Sequence, residues 1–255
     1  VTEENVYRKP VLKSDLSGKD GAAKQLSAEQ QAVVDAILQD YSQGISQTYL
    51  LRGITGSGKT EVYMALIERM IADGKQAIVL IPEIALTYQT LLRFYLRFGD
   101  RVSVMNSRLS PGERSDQYER AAKGEIDIMI GPRSALFTPF ERLGLVIIDE
   151  EHESSYKSET MPKFHAREVA QELCRMKHAS LLLGSATPSL ESYYRARQGK
   201  IPLFTLNSRL TGGELPKVYI EDLREELKSG NRSIFSRRLQ QLLEDRLAKG
   251  QQSIL

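Results

Sequence analysis

The sequence predicts an α/β fold in which a doubly wound, mainly parallel sheet carries helices on both faces. Short runs of Val, Ile and Leu have no polar face, so strands formed by them must be covered on both sides. These runs alternate with longer amphipathic stretches, as in chains of parallel strands joined by helices. One run is followed by a glycine-rich loop that leads directly into a helical pattern, as in loops that bind phosphate groups.

The elements follow one another in a regular order. Residues 1–24 are polar and without a sustained apolar period, so they are predicted to be a linker or tail. The segment LSAEQQAVVDAILQDY then has helical spacing, with Ser27 as candidate N-cap. Strands are expected in TYLLRG, QAIVLIP, RVSVM, IDIMIG, LGLVIID and ASLLLGSA. Helices are expected in TEVYMALIERMIADG, ALTYQTLLRFYLRFG, SPGERSDQYERAAKG and HAREVAQELCRMK, the first three of which end at Gly74, Gly99 and Gly124.

The pattern changes near residue 206, so residues 25–206 are predicted to form one nucleotide-binding lobe. Beyond them KVYIEDL has the character of a short strand, SRRLQQLLEDRLAKG is amphipathic, and QQSIL resembles the opening of another buried strand. Because the sequence stops inside an element, residues 207–255 are expected to be a connector and the start of a second lobe.

Composition excludes several classes of protein. Lys and Arg number 35 against 33 Asp and Glu, so the formal net charge is only +2, unlike that of a histone-like nucleic-acid binder. A local groove could still hold a nucleic-acid backbone. The single cysteine, Cys174, cannot form an internal disulfide and favours a reducing, cytoplasmic location. No apolar run approaches the ~18 residues of a membrane span, and no signal peptide opens the sequence, so neither membrane insertion nor secretion is expected.

Residues 53–60, GITGSGKT, match the phosphate-binding pattern GxxxxGK[ST] between a predicted strand and a predicted helix. Glycines allow the backbone N–H groups of such a loop to converge on a phosphate chain at a helix N-terminus. Lys59 would hold the β- and γ-phosphates and Thr60 a magnesium ion. The candidate nucleotide-binding residues are therefore Gly53, Thr55, Gly56, Ser57, Gly58, Lys59 and Thr60.

Two carboxylates end the apolar run LVIID-E, at the sheet edge where ligands of such folds bind. Asp149 would hold magnesium through water, and Glu150 would orient the attacking water, so both join Lys59 as candidate catalytic residues. An acidic strand-to-helix turn is the alternative. The turn GSATP places Ser185 and Thr187 at the same edge, where they could hydrogen-bond Glu150 or His152 and couple them to the γ-phosphate; an ordinary turn is again the alternative.

Seven segments taken together resemble the first motor lobe of superfamily 2 helicases, and more narrowly that of the bacterial replication-restart DNA helicases. They are LSAEQ, GITGSGKTEVY, IPEIALT, IGPRSALFTPF, IIDEEHESSYK, FHARE and LGSATPSLES. The resemblance covers roughly residues 25–255 and implies a RecA-like P-loop NTPase lobe that uses ATP and Mg²⁺. It further implies 3′-to-5′ movement on single-stranded and forked DNA, remodelling of stalled forks and primosome assembly. Primosome and single-strand-binding proteins are the implied partners, the chain is expected to be a monomer, and zinc is expected only outside this sequence.

The same resemblance assigns roles to individual residues. Gln30 becomes a candidate for reading the adenine edge. The path of single-stranded DNA is expected along Pro82, Glu83, Ile84, Arg133 and Ser134, in loops suited to phosphate contacts. A surface salt bridge is the alternative for Arg133, and also for Arg167.

The segment SSYKSETMPKFH, residues 154–165, matches an aromatic-rich loop of that family. Tyr156 and Phe164 are expected to stack on DNA bases and to couple strand occupancy to Glu150 and His152. The alternative is that these aromatic rings anchor a surface loop to the core. The segment is predicted to be mobile in this chain and to become ordered only when single-stranded DNA and the second lobe are both present, because its few apolar residues cannot offset the backbone entropy lost on ordering.

These observations favour an ATP-dependent DNA translocase lobe. Such motors take an arginine finger from a second lobe, so the isolated chain is expected to bind nucleotide weakly and hydrolyse it poorly. The alternative is a nucleotide-gated scaffold that holds DNA or primosome proteins without turnover. A small-molecule kinase or GTPase is disfavoured, because the sequence lacks the guanine-reading pattern Asn-Lys-x-Asp.

Overall fold

A computed structural model describes residues 25–209 and 217–255. The predicted linker, residues 1–24, lies outside the described residues. The chain divides into two units, the first ending at Thr211 and the second beginning at Gly212. Within the described ranges, the helices all lack the combination of length and apolar content that crossing a membrane requires.

Among its described residues, the first unit is built on a seven-stranded sheet in which all neighbouring strands are parallel, in the order β3-β4-β2-β5-β6-β1-β7. The strands are β1 (Thr48–Gly53), β2 (Gln76–Leu80), β3 (Val102–Val104), β4 (Ile128–Gly131), β5 (Leu143–Asp149), β6 (Ser180–Ser185) and β7 (Leu203–Leu206). Every residue of β2 and of β6 is buried, as their uninterrupted apolar sequences require. The predicted parallel α/β sheet is confirmed.

Helices cover both faces of this sheet, also as predicted. They are α1 (Ala28–Ser42), α2 (Lys59–Ala72), α3 (Tyr88–Phe98), α4 (Pro111–Ala122), α5 (Ala166–Lys177) and α6 (Leu190–Arg197). Side chains of α1, α2 and α3 pack in one buried apolar cluster, and those of α4, α5 and α6 pack in a second cluster on the opposite face. The N-terminus of α1 has a capping box, in which Ser27 and Gln30 each bond the other's backbone N–H.

Two elements of the first unit were not predicted. The edge strand β7 pairs with β1, but it is only partly buried and its sequence LFTL lacks a long apolar run. Helix α6 is short and polar, so its periodicity is weak. The chain that follows β7 returns to the start of α1, where the Glu29 carboxylate accepts the N–H groups of Asn207 and Ser208.

From residue 217 onward, where the structure describes the second unit, it contains two helices, α7 (Leu223–Lys228) and α8 (Arg237–Ala248). The amphipathic prediction for α8 is confirmed. The strand-like predictions for KVYIEDL and QQSIL are wrong, because neither segment pairs with a neighbouring strand and Ile220 is 93% exposed. Tyr219 instead lies under the Arg238 guanidinium, 3.6 Å from the ring centroid. That residues 207–255 connect to a second lobe stays a prediction.

Candidate nucleotide site and adjoining groove

The candidate site lies where β1, β5 and β6 end. Strand β6 pairs in parallel with both β1 and β5, so the carboxyl ends of the three strands meet at one edge of the sheet. The glycine-rich loop follows β1, Glu150 follows β5 and the GSATP turn follows β6. This edge is where parallel α/β sheets bind their ligands.

The glycine-rich loop needs its glycines for conformational and steric reasons. Gly56 and Gly58 have φ values of +82° and +78°, in the region that side-chain-bearing residues avoid. A Cβ at Gly53 would lie 2.6 Å from the Ser57 hydroxyl and 2.9 Å from Cγ of Lys59. The loop can therefore fold back on itself, so that α2 begins with its first N–H groups free of a side-chain cap.

The Lys59 ammonium group joins this loop to the end of β5. Its Nζ donates to the carbonyl oxygen of Gly53 at 3.0 Å and lies 3.9 Å from Oε1 of Glu150. A cavity of about 460 Å³ opens beside it, with a lining of Ile54, Thr55, Gly56, Gly58, Lys59, Thr60, Glu61, Arg93, Asp149 and Glu150. The structure thus brings the phosphate loop and both candidate carboxylates around one space.

Asp149 is held by a tyrosine of α2. The Tyr63 hydroxyl donates to Oδ1 of Asp149 at 2.8 Å. Burial raises the pKa of Asp149, while the Tyr63 hydrogen bond and the charge of Lys59 act in the opposite direction. Space for the tyrosine depends on Gly184 of β6, because a Cβ at that position would overlap the Tyr63 hydroxyl.

The three predicted coupling residues come together next to Glu150. Glu150 has a left-handed backbone, with φ of +47°, which marks a sharp turn at the end of β5. His152 Nδ1 lies 3.7 Å from Oε2 of Glu150 and 2.8 Å from the Ser185 hydroxyl. Thr187 Oγ1 lies 3.5 Å from the other ring nitrogen of His152. The GSATP turn therefore contacts the acidic turn directly, as the sequence suggested.

A buried carboxylate beside the site was missed by sequence reasoning. The side chain of Glu151 is fully buried and accepts from the Ser189 N–H at 2.6 Å and from Arg167 Nη1 at 2.8 Å. Ser192 also donates to it, at 3.0 Å. Arg167 is thus the partner of a buried carboxylate rather than of a surface one, and the network ties the acidic turn to the start of α6. The sequence offered one signal for it, since Glu151 is the third residue of the DEEH sequence.

The expectation that Gln30 reads an adenine edge does not fit its position. Gln30 is 1% exposed, and its side-chain amide donates to the carbonyl oxygens of Ser57 at 2.9 Å and Gly58 at 3.3 Å. Its Oε1 accepts the N–H of Ser27. Both amide hydrogens are therefore used within the protein, and none remains to donate to a base. In this structure Gln30 supports the phosphate loop.

A groove of about 270 Å³ lies at the neighbouring ends of β2 and β4. Four of the five residues expected along the DNA path, Pro82, Glu83, Arg133 and Ser134, line it. Ile84 does not, and its side chain is 84% exposed. Sequence reasoning missed three polar side chains of the groove, Asn106, Ser107 and Arg114. The Ser-Pro-Gly-Glu-Arg sequence signalled only a helix start.

The stacking role expected for Tyr156 is wrong for this conformation. Its side chain is 1% exposed, with its hydroxyl bonded to the carbonyl oxygen of Asp149, so the ring cannot receive a base. The alternative, an aromatic anchor, holds for this residue. Phe164 is half-buried and meets Phe137 edge to face, with ring centroids 5.5 Å apart.

The segment 154–165 is held to the lobe, in contrast to the mobility expected of it. Arg133 Nη1 donates to the carbonyl oxygens of Ser155 at 2.7 Å and Lys157 at 2.9 Å. Lys157 and His165 form an antiparallel bridge that closes the segment. The expectation of mobility rested on apolar content alone and left these backbone bonds out; whether the segment is mobile without DNA stays a prediction.

The cavity residues fit a nucleoside phosphate with magnesium. Ser57 Oγ is buried and has no hydrogen-bond partner among the described residues, and Lys59 provides a cation at the helix start. The described ranges contain no cluster of three or more His, Cys, Asp or Glu side chains able to hold a metal by themselves. Mg²⁺ would therefore depend on Thr60, Asp149, phosphate oxygens and water, which is usual for this ion.

Comparison with known proteins agrees with this geometry. Replication restart protein PriA of Bacillus subtilis (strain 168) is 47% identical over 252 residues, which cover 99% of this chain and 31% of the relative. The PriA protein of Synechocystis is 49% identical over 218 residues, or 84% of this chain and 26% of the relative. The chain thus spans about a third of the length of these curated relatives.

Solved helicase structures share the fold. RecG bound to a three-way DNA junction superimposes with a TM-score of 0.57 and 24% identity, covering 76% of this chain and 25% of RecG. The Pyrococcus furiosus Hef helicase domain gives a TM-score of 0.50 at 16% identity, covering 87% of this chain and 53% of that domain. The sheet is therefore RecA-like. Residues 27–196, two thirds of the chain, match the DEAD/DEAH box helicase family, and the chain belongs to that family.

Proposed function

We propose that this chain is the ATP-binding motor lobe of a 3′-to-5′ DNA helicase that remodels stalled or abandoned replication forks and promotes primosome assembly for replication restart. The observation that carries the proposal is the shared cavity in which Lys59 and Thr60 face Asp149 and Glu150. A cation, a hydroxyl and two carboxylates in one cavity are the groups that phosphoryl transfer from ATP to water requires.

Each side chain has a distinct task in ATP hydrolysis. Lys59 binds the β- and γ-phosphates, and its present partners, a carbonyl oxygen and a carboxylate 3.9 Å away, are weak enough to exchange. Thr60 and Asp149 would hold Mg²⁺, which when bound would neutralise the charge that develops on the phosphates. Glu150 orients the attacking water, and His152 with Ser185 fixes the position of Glu150.

Single-stranded DNA is the proposed occupant of the groove between Glu83 and Arg133. Its Arg and hydroxyl side chains suit a phosphate backbone without reading sequence. Phe164 remains a candidate for base stacking, whereas Tyr156 does not. The 3′-to-5′ direction and the preference for forked DNA are part of the proposal, and the resemblance to the replication-restart helicases is what supports them. Primosome and single-strand-binding proteins are the proposed partners of a cytoplasmic, monomeric protein.

The isolated chain is proposed to bind nucleotide weakly and to hydrolyse it poorly. In phosphate-loop motors a second lobe supplies the arginine that stabilises the transition state. The relatives are about three times as long as the matched segment, so their remaining length has room for such a lobe.

Calorimetric titration of ADP and of a non-hydrolysable ATP analogue tests the proposal. Lys59→Ala should abolish binding of both nucleotides and leave the fold intact, because the side chain lies at a loop end. Lys177→Ala, an exposed lysine at the end of α5, is the matched control and should bind like the parent. Unchanged affinity in Lys59→Ala would mean that the loop is an ordinary turn.

Glu150→Gln in a full-length relative separates the motor from the scaffold. The amide keeps the shape of the side chain but cannot act as a base. A motor loses unwinding in this variant and keeps nucleotide binding. A scaffold that holds DNA or primosome proteins without turnover keeps its function.

A further inference from the structure

An arginine of α3, which no sequence motif singled out, lies in the wall of the nucleotide cavity. Arg93 lines the cavity together with Lys59, Thr60 and the two carboxylates of the acidic turn. It reaches the cavity because α2 and α3 pack side by side on the same face of the sheet. Arg93 and Lys59 are the two cationic side chains in the lining.

The partner that Arg93 now holds has a second arginine. Arg93 Nη2 donates to Oε1 of Glu61 at 2.6 Å. Arg97 Nη1 approaches Oε2 of the same carboxylate at 3.5 Å and bonds Glu68 at 2.7 Å through its other terminal nitrogen. Glu61 is 5% exposed, so it needs a cation, but Arg97 can supply one when Arg93 leaves.

The two arginines differ in their freedom to move. The side chain of Arg97 is 9% exposed, whereas that of Arg93 is 44% exposed and faces the cavity. A guanidinium group with an open side can turn towards a new anion without leaving a buried charge behind. Its flat array of donors matches two oxygens of one phosphate in a fixed bidentate geometry, whereas an ammonium group acts as a point charge.

The charges of the cavity favour such a movement. Three carboxylates, Glu61, Asp149 and Glu150, line it against two cations. An entering phosphate chain adds further negative charge, so each cation that can reach it stabilises the bound state. Glu61 directly follows Thr60 in α2, so Arg93, through its bond to Glu61, lies on the Thr60 side of the cavity. A nucleotide laid along the loop towards Thr60 and Asp149 directs its last phosphate to this side.

We propose that Arg93 recognises the terminal phosphate of ATP by exchanging the Glu61 carboxylate for phosphate oxygens, while Arg97 keeps Glu61 neutralised. This inference rests on the proposed function and adds to it a residue that distinguishes a triphosphate from a diphosphate. Arg93 then acts in the same chain as the phosphate loop, independently of any arginine that a second lobe contributes.

Calorimetry on this chain with ADP and with a non-hydrolysable ATP analogue, both with Mg²⁺, measures the effect. Arg93→Ala should weaken binding of the ATP analogue at least tenfold and change ADP affinity by less than twofold. Arg69→Ala is the matched control, since Arg69 is also a half-exposed arginine of an ion pair but lies outside the cavity lining. It should leave both affinities unchanged. Arg93→Gln keeps most of the stem but loses the guanidinium group, so it should repeat the Arg93→Ala result; parent-like affinity in Arg93→Gln would mean that truncation of the stem, and not loss of the guanidinium, weakens binding, and would overturn the inference.

Two further results would overturn the inference. Unchanged affinity for the ATP analogue would show that Arg93 does not contact the nucleotide. Equal weakening for ADP and for the analogue would show that the terminal phosphate is not what it recognises. Lys59→Ala separates both results from failure of the proposed function. If that variant loses nucleotide binding, the phosphate loop is a nucleotide site, whether or not Arg93 takes part in it.

Discussion

The hydroxyl of Tyr156 donates a hydrogen bond to the backbone carbonyl oxygen of Asp149, at 2.7 Å. Arg133 in turn holds the carbonyl oxygens of the residues on both sides of this tyrosine. Since Arg133 and Tyr156 both line the groove, while Asp149 lines the nucleotide cavity, the two sites are joined through one buried side chain. A shift of Arg133 away from these carbonyl oxygens would loosen the tyrosine that bonds the backbone of Asp149, the candidate magnesium ligand.

Tyr156→Phe should lower the free energy of unfolding by about 1–2 kcal/mol, because the ring still fills its place but the carbonyl oxygen of Asp149 loses its donor. Denaturant titration of this chain measures the change. Tyr95→Phe is the matched control: the Tyr95 hydroxyl is buried and has no hydrogen-bond partner in the described part of the chain, so its removal should cost nothing. Equal losses in the two variants would mean that the Tyr156 bond contributes no stability.

Arg133→Ala should loosen the segment around Tyr156, because the residues on both sides of it, Ser155 and Lys157, each lose a charge-assisted hydrogen bond. Amide hydrogen exchange followed by mass spectrometry should find faster exchange, by about tenfold or more, in peptides that cover residues 154–165. Arg114→Ala also removes an arginine of the groove, but Arg114 contacts Ser107 instead, so it serves as control. Unchanged exchange in Arg133→Ala would show that the bonds from Arg133 to Ser155 and Lys157 do not hold the segment.

Asp149→Asn should stabilise the nucleotide-free chain at neutral pH. Burial raises the pKa of Asp149 above its ordinary value of 3.8. At a pH between 3.8 and the raised pKa, the native state therefore binds more protons than the unfolded state. Stability is therefore lost as the pH rises through that interval. Asparagine still accepts from Tyr63 but carries no buried charge.

Thermal melts from pH 3 to pH 8 measure this effect. At pH 7 the asparagine variant should melt about 2–4 °C above the parent, the shift that ~1 kcal/mol causes in a domain of this size. The difference should disappear below the ordinary pKa, where aspartic acid is neutral too. A constant difference at every pH would assign it to packing instead, and the variant should in any case lose its response to Mg²⁺ with nucleotide.

Local sequence was enough to predict the sheet and the position of the site. Uninterrupted apolar runs separated by amphipathic stretches require a parallel sheet covered on both faces, and such a sheet brings the ends of its strands to one edge. Asp149 and Ser185 each end a strand, and the loop that follows β1 leads to Lys59 at the start of α2, so their meeting could be inferred without a structure. The edge strand β7 was not predicted, because a half-buried strand has no distinctive apolar pattern.

Side-chain roles that depend on distant neighbours were decided by the tertiary structure alone. Tyr156 lies in a segment whose composition is that of a surface loop. It is nevertheless buried, and its hydroxyl bonds the last residue of β5, Asp149. Gln30 bonds a carbonyl oxygen of the phosphate loop, and Arg167 pairs with the buried Glu151. A residue's type limits which bonds it can make, but the partner comes from an element elsewhere in the chain. Arg93 reaches the nucleotide cavity for the same reason, since only the packing of α3 against α2 places it beside Glu61.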